Sequence, residues 1–169
     1  MRLCFWGLAL LLALALACRQ AGEEALVATP TPVVRAGELY TCANGADGCR
    51  VTYVIGPVTR AGERLRIDFT VSLDGPAGGT TAWTNDAAMH RDIMERGGRG
   101  IVLILATDDS VAYELTGVGG YASIDDTLVA PVTHRGYWEF DVPDLPGLEL
   151  LLSYPDFSDR PVPVVVPEP

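Results

Sequence analysis

Leu65, Ile67, Phe69, Val71 and Leu73 alternate without error against Arg66, Asp68, Thr70 and Ser72. A period of two over this run predicts a strand with one buried and one wet face. Arg50-Val51-Thr52-Tyr53-Val54-Ile55 predicts a second strand just before it. The turn-rich connection from Gly56 to Gly62 makes the two antiparallel neighbours. Asp74-Gly75-Pro76 and Gly78-Gly79 then end the stronger strand.

A different period follows. Thr84 or Asn85 can cap a helix, Asp86 suits its first turn, and Gly97-Gly98 stop it after Arg96. Met89, Ile93 and Met94 would form its apolar stripe. The pattern then returns to strands. Ile101 to Leu105 is too short for a confident helix and rich in β-branched residues, Thr107-Asp108-Asp109-Ser110 predicts a turn, and Val111 to Leu115 predicts its hairpin partner. Gly117, Gly119 and Gly120 are expected to break that strand. Further strands are expected near Tyr121 to Ile124, Gly136 to Val142, Leu148 to Ser153 and Val162 to Val166. Trp138, Phe140 and Val142 share one face, and Pro161, Pro163 and Pro167 suit an edge, where a missing amide donor costs little. Short strands at turn-punctuated spacing with one helix imply an all-β sandwich. The Cys…Trp…Cys spacing of antibody domains is absent.

The first residues obey other rules. Arg2 precedes an apolar run from Leu3 to Ala17, the pattern of a secretory signal peptide over 1–17. Ala15-Leu16-Ala17 is small-x-small and stands directly before Cys18, as in a bacterial lipoprotein signal, although the usual pattern prefers Leu where Ala15 stands. Cys4 goes with the signal and Cys42 can pair with Cys49, which leaves Cys18 alone. An odd thiol in an exported chain needs a reason, and diacylglycerol attachment supplies one. Simple secretion with a free Cys18 is the alternative. Residues 18–37, with Thr-Pro repeats and no sustained period, predict an extended tether, and 38–169 predict one domain.

In an exported chain Cys42 and Cys49, with six residues between them including Asn44-Gly45 and Asp47-Gly48 turns, are expected to form a disulfide. No second cysteine pair or nearby histidine completes a metal site, and a redox pair usually has two intervening residues.

Twelve arginines and no lysine stand against twenty-two acidic residues, so removing the signal with Arg2 leaves 11 − 22, a net charge near −11. Such a surface repels phosphate backbones, which makes nucleic acid an unfavourable partner. The absence of lysine excludes Schiff-base chemistry and phosphate loops that need one. His90-Arg91-Asp92 and Asp156-Phe157-Ser158 echo kinase motifs, but Gly97 stands where a catalytic-loop Asn is required. No Gly-x-Ser-x-Gly occurs. Asp86 and His90 lie four apart on the predicted helix, on one face, and could hold a cation or small ligand; a solvated surface pair is the plainer expectation. Asp108-Asp109 and Asp125-Asp126 are expected to be solvated turns, since no Asp-x-Asp-x-Asp-Gly run exists. Trp83, Tyr121, Tyr137 and Tyr154 lie near predicted turns or strand ends, where they serve either a binding surface or the core.

The order of these segments resembles the immunoglobulin-like extracellular domain of unknown function found in bacterial lipoproteins, related to a secreted immunoprotective antigen. RVTYVIGPVTRAGERLRIDFTVSL is similar to that family's opening hairpin and IVLILATDDSVAYEL to its central unit. GYWEFDVPD resembles its Gly-aromatic-x-Phe-Asp-Val-Pro strand, and LELLLSY its closing strand. Asp74-Gly75-Pro76 replaces the family's Asn-Thr-type turn, and Thr84 to Gly98 reads as a helical insertion. The resemblance implies an immunoglobulin-like antiparallel β-sandwich outside the cytoplasm, and no catalytic residues. The expected function is a lipid-anchored binding or interaction module without enzymatic activity or cofactor. It would be held to the membrane through Cys18 and meet a protein or small ligand at the cell surface. A metal- or ligand-dependent site near Asp86 and His90, or a structural role in the cell envelope, are the alternatives.

Overall fold

The computed structural model describes residues 33–36, 40–157 and 160–168. The signal peptide expected over 1–17 and the lipidation expected at Cys18 lie outside the described residues. The strands are β1 (Val33–Ala36), β2 (Tyr40–Thr41), β3 (Asp47–Ala61), β4 (Arg64–Asp74), β5 (Thr80–Trp83) and β6 (Val102–Leu105). They continue with β7 (Asp108–Gly120), β8 (Asp126–Val129), β9 (Val132–Asp141), β10 (Glu149–Ser153) and β11 (Val162–Val165). One α-helix, α1 (Asp86–Glu95), stands between β5 and β6. The protein is all-β, and its strand pairings are antiparallel.

The alternating run becomes β4, with Leu65, Ile67, Phe69, Val71 and Leu73 at most 2% exposed. It lies between β3 and β9, in a nine-stranded sheet of order β1-β3-β4-β9-β7-β6-β10-β11 with β2 also on β3. The connection expected over Gly56 to Gly62 is mostly strand. β3 runs on to Ala61, absorbing Gly56-Pro57 as a register shift between Ile55 and Val58, and the reversal falls at Gly62-Glu63. A bulge accommodates the irregular dipeptide at lower cost than ending the ladder would. β1 lies inside residues 18–37, where the tether was expected. Its Val33 and Val34 follow the last proline of that segment and pair with Ile55 and Val54.

β7 also departs from expectation. It does not break at Gly117 but crosses from one part of the sheet to another, pairing β6 through Asp108–Glu114 and β9 through Leu115–Gly120. Gly119 remains in the strand because the Tyr137 ring lies where its Cβ would be, and the Arg66 guanidinium covers that ring at 3.6 Å. Tyr121–Ser123 is a 3-10 turn rather than a strand, since Gly120 at φ 61° turns the chain out of the ladder. The turn expected over Thr107–Ser110 is shifted to Ala106-Thr107. β5 and β8, which the sequence pattern does not announce, form a separate two-stranded ribbon. β11 is an edge strand, as its prolines require.

The part of the sheet built on β1, β3, β4, β9 and β7 curls nearly into a barrel. Its inner residues share one core with Leu103 of β6, Leu150 and Leu152 of β10, and Val162 and Val164 of β11. Rings fill the centre. Phe69 stacks on Trp138 at 4.1 Å between centroids, and Tyr53 meets Trp83, Tyr154 and Phe157 at 5.2–6.1 Å.

Two glycines test how tightly this core closes. An alanine Cβ at Gly136 would stand 2.6 Å from Phe69 Cζ and 3.0 Å from the Ala122 amide nitrogen, neither able to move. At Gly119 its three nearest atoms would all belong to Tyr137, half-buried on the outer face. Gly136→Ala is expected to cost about 1–3 kcal/mol through overpacking, and Gly119→Ala less. Urea denaturation midpoints check the order, and equal costs would contradict this account.

Candidate functional site

The chemically distinctive groups converge at the start of α1. Asn85 caps the helix, its Oδ1 accepting from the Ala88 amide at 3.1 Å, and the chain reverses at a Schellman motif in which Gly98 N–H donates to Ile93 O and Gly97 N–H to Met94 O. The helix therefore begins and ends where the capping residues predict.

Its burial is unexpected. Met89, Ile93 and Met94 are only half-buried, whereas Asp86 is 0% exposed. The expectation of a solvated Asp86/His90 surface pair is thus corrected at Asp86. Trp138 Nε1–H donates to Asp86 Oδ2 at 2.6 Å, and the Tyr154 hydroxyl donates to Oδ1 at 3.2 Å. Tyr53 Oη adds a long contact to Tyr154 Oη at 3.4 Å. A carboxylate this deep is tolerable only with such donors, and its place in the first turn of the helix favours negative charge there. Strand alternation had put Trp138 inside, and a buried indole N–H needs an acceptor. That requirement was the sequence signal for this contact; only the fold identifies Asp86 as the acceptor.

His90 serves another partner. Its Nδ1 accepts the Ile101 amide proton at 3.1 Å, and the ring occupies the space a side chain at Gly100 would take. Burial lowers its pKa from 6.5, partly opposed by the charge of Glu114. Asp86 and His90 are turned to different neighbours. Among the described residues no group of three or more His, Cys, Asp or Glu stands where it could hold a metal ion.

The acidic turns bond to backbone, Asp108 and Asp126 within their own turns and Asp125 to the helix cap. Asp108 Oδ1 accepts from the Ser110 hydroxyl at 2.6 Å and the Ser110 amide at 3.0 Å, and these bonds hold its carboxyl below the usual range. Asp125 Oδ1 accepts the Asn85 amide at 2.6 Å, and Asp126 Oδ1 accepts from the Thr127 amide. Three of the four aromatics that could have formed a surface are core: Trp83, Tyr121 and Tyr154 are 2–6% exposed. Tyr137 is half-buried beneath Arg66. Trp83 Nε1–H donates to the Tyr121 carbonyl at 3.1 Å, and His134 stacks on the Tyr121 ring at 3.9 Å. Burial, with the charge of Asp126, pushes the Tyr121 phenol up, so it stays protonated.

Cys42 and Cys49 are bonded and buried, at 3% and 0% exposure. Gly79 closes over both sulfurs; a Cβ there would approach them to 2.9 and 3.0 Å. The intervening loop is tied down by Ala43 N–H to Thr80 O and Asn44 Nδ2 to Gly78 O. Among the described residues no helix is long and apolar enough to cross a membrane.

Replacing Asp86 by Ala strands the Trp138 and Tyr154 donors. At about 1–3 kcal/mol for each buried donor left unpaired, the loss is expected to be about 2–6 kcal/mol. Asp86→Asn, which keeps one acceptor, should lose less. Denaturation followed by tryptophan fluorescence measures both, and an Ala variant as stable as wild type would refute the role given to this carboxylate. No protein-family model, curated protein or solved structure matches the chain.

Proposed function

We propose that the chain is an extracytoplasmic, lipid-anchored, immunoglobulin-like module that acts by binding at the cell surface and catalyses no reaction. The observation that carries this reading is the buried cystine of Cys42 and Cys49. Disulfides of this kind persist in oxidising compartments, and the compartment agrees with the signal-like N-terminus ending at Cys18. Cys18 would take the acyl chains, and the segment between it and β1 would hold the domain off the membrane. The two parts of the sheet that β7 joins, sharing one core, support the sandwich form. The buried carboxylate of Asp86 is held by hydrogen bonds from Trp138 and Tyr154 inside the core, which favours binding over catalysis. The alternative site at Asp86 and His90 has less support, because their polar atoms face separate partners. A net acidic surface points to a protein or small ligand at the cell surface rather than to nucleic acid.

Metabolic labelling with a fatty acid should mark wild type and leave Cys18→Ala unmarked; equal labelling would remove the lipid anchor. Alkylation of protein taken from cells should find Cys42 and Cys49 unreactive until denatured and reduced. Free thiols at both would place the chain in a reducing compartment. The double variant Cys42→Ala, Cys49→Ala should lose about 2–3 kcal/mol of stability by the chain-entropy estimate for so short a loop.

A further inference from the structure

α1 is held to the rest of the protein by polar contacts more than by its apolar stripe, which stays half-buried. Its first turn is fixed by Asp86 and Asn85. One turn on, His90 Nδ1 holds it to the head of β6 by accepting the amide proton of Ile101, itself 0% exposed, and Met94 Sδ adds a weaker contact by accepting that of Gly100 at 3.4 Å. The imidazole can come this close because Gly100 has no side chain. Behind the helix, Gly97, at φ 74°, and Gly98 close the Schellman turn, and Gly100 precedes Ile101.

We propose that His90 is a proton-operated latch that holds the C-terminal half of α1 against the head of β6 and opens in acid. The step is a simple protonation. Neutral imidazole offers the Nδ1 lone pair to Ile101 N–H; a proton from solvent occupies that lone pair, and the bond breaks. Two N–H donors then face each other, so the ring must leave its seat. β7, packed against α1, supplies Glu114, whose carboxylate attracts the imidazolium in its seat and so partly offsets the burial that drives the charged ring out. The turn Tyr121–Ser123, also packed against α1, contributes only Tyr121, a phenol that stays neutral. On the helix itself Arg91, Asp92 and Glu95 are exposed, and Asp86 is bound to Trp138 and Tyr154.

The sign follows from linkage. His90 has a lower pKa in its seat than the 6.5 of a free imidazole, so the released helix binds more protons than the docked one. The latch is fully closed above the free value and weakens as pH falls from there through the docked value. A chain exposed outside the cytoplasm would meet such changes, and His90 would convert them into a local rearrangement without unfolding the sheet.

Amide exchange of Ile101 in the full chain, measured by NMR from about pH 8 to pH 5 and corrected for intrinsic rates, tests the latch. Protection should be constant above about pH 6.5 and fall below it, by roughly tenfold per pH unit until the docked imidazole is itself protonated. Phe69 and Val71 of β4 should keep theirs. His90→Asn, whose Oδ1 can accept the same proton without titrating, should hold Ile101 protected throughout. Glu114→Gln should shift the midpoint to lower pH. A wild-type Ile101 whose protection does not fall, an equal fall in His90→Asn, or a parallel loss in β4 would each overturn the proposal. Should His90→Asn not fold, an unmoved midpoint in Glu114→Gln would do so.

Discussion

A carboxylate removed from water must find donors inside, and in this protein that requirement fixes the meeting point of the chain. Asp86 enters the core from α1, Trp138 comes from β9, and Tyr154 follows β10. Two elements far apart in sequence are thereby tied to the first turn of one helix. Asn85 adds bonds to Asp125 and to the Ser123 carbonyl, and Met89 packs against the core, while the other apolar residues of the helix are only half-buried. Without the indole and phenol donors, the same carboxylate would draw the helix back to solvent. The arrangement stabilises a specific docking as much as it stabilises the fold.

Around this point the core is built mainly of rings. Tyr53, Phe69, Trp83, Trp138, Tyr154 and Phe157 pack in tilted and stacked pairs, and aromatic pairs of this kind add attraction beyond the area they bury. Glycine placement on the strands makes room for them. Gly136 leaves space for Phe69 inside, and Gly119 lets Tyr137 lie flat outside under Arg66. β7 then ties the curled part of the sheet to β6, β10 and β11 by changing partners along its length. Strands that switch partners through a bend are a recognised way of turning one sheet into two facing layers.

The functional reading follows from where reactive chemistry is used. The Cys42 and Cys49 sulfurs are bonded and covered, the buried carboxylate is hydrogen-bonded, Asp108 holds the backbone of its own turn, and Asp125 holds the amide of the helix cap Asn85. The chain as a whole is net acidic, with arginine carrying all of its basic side-chain charge apart from histidine. His90 differs from the other polar groups, since its hydrogen bond depends on its being neutral.

The sequence by itself determined the strands whose side chains alternate and the ends of the helix. β4 and the buried face of β9 follow from period two, because each residue's neighbour at i+2 must share its side of the pleat. Asn85 and Gly97-Gly98 set the ends of α1 through local backbone bonds, and the Cys42–Cys49 pairing needs only a short loop. These are all interactions within a few residues or one strand. Tertiary structure decided the rest. That β3 would run through Gly56-Pro57, that β7 would pass Gly117 and Gly119, and that β5 would find β8 depend on partners distant in the chain. Spacing alone put Asp86 and His90 on one helical face, but which of them faces the core depends on the donors waiting there. Trp138 and Tyr154, fifty-two and sixty-eight residues further on, buried the carboxylate and left the histidine at the margin.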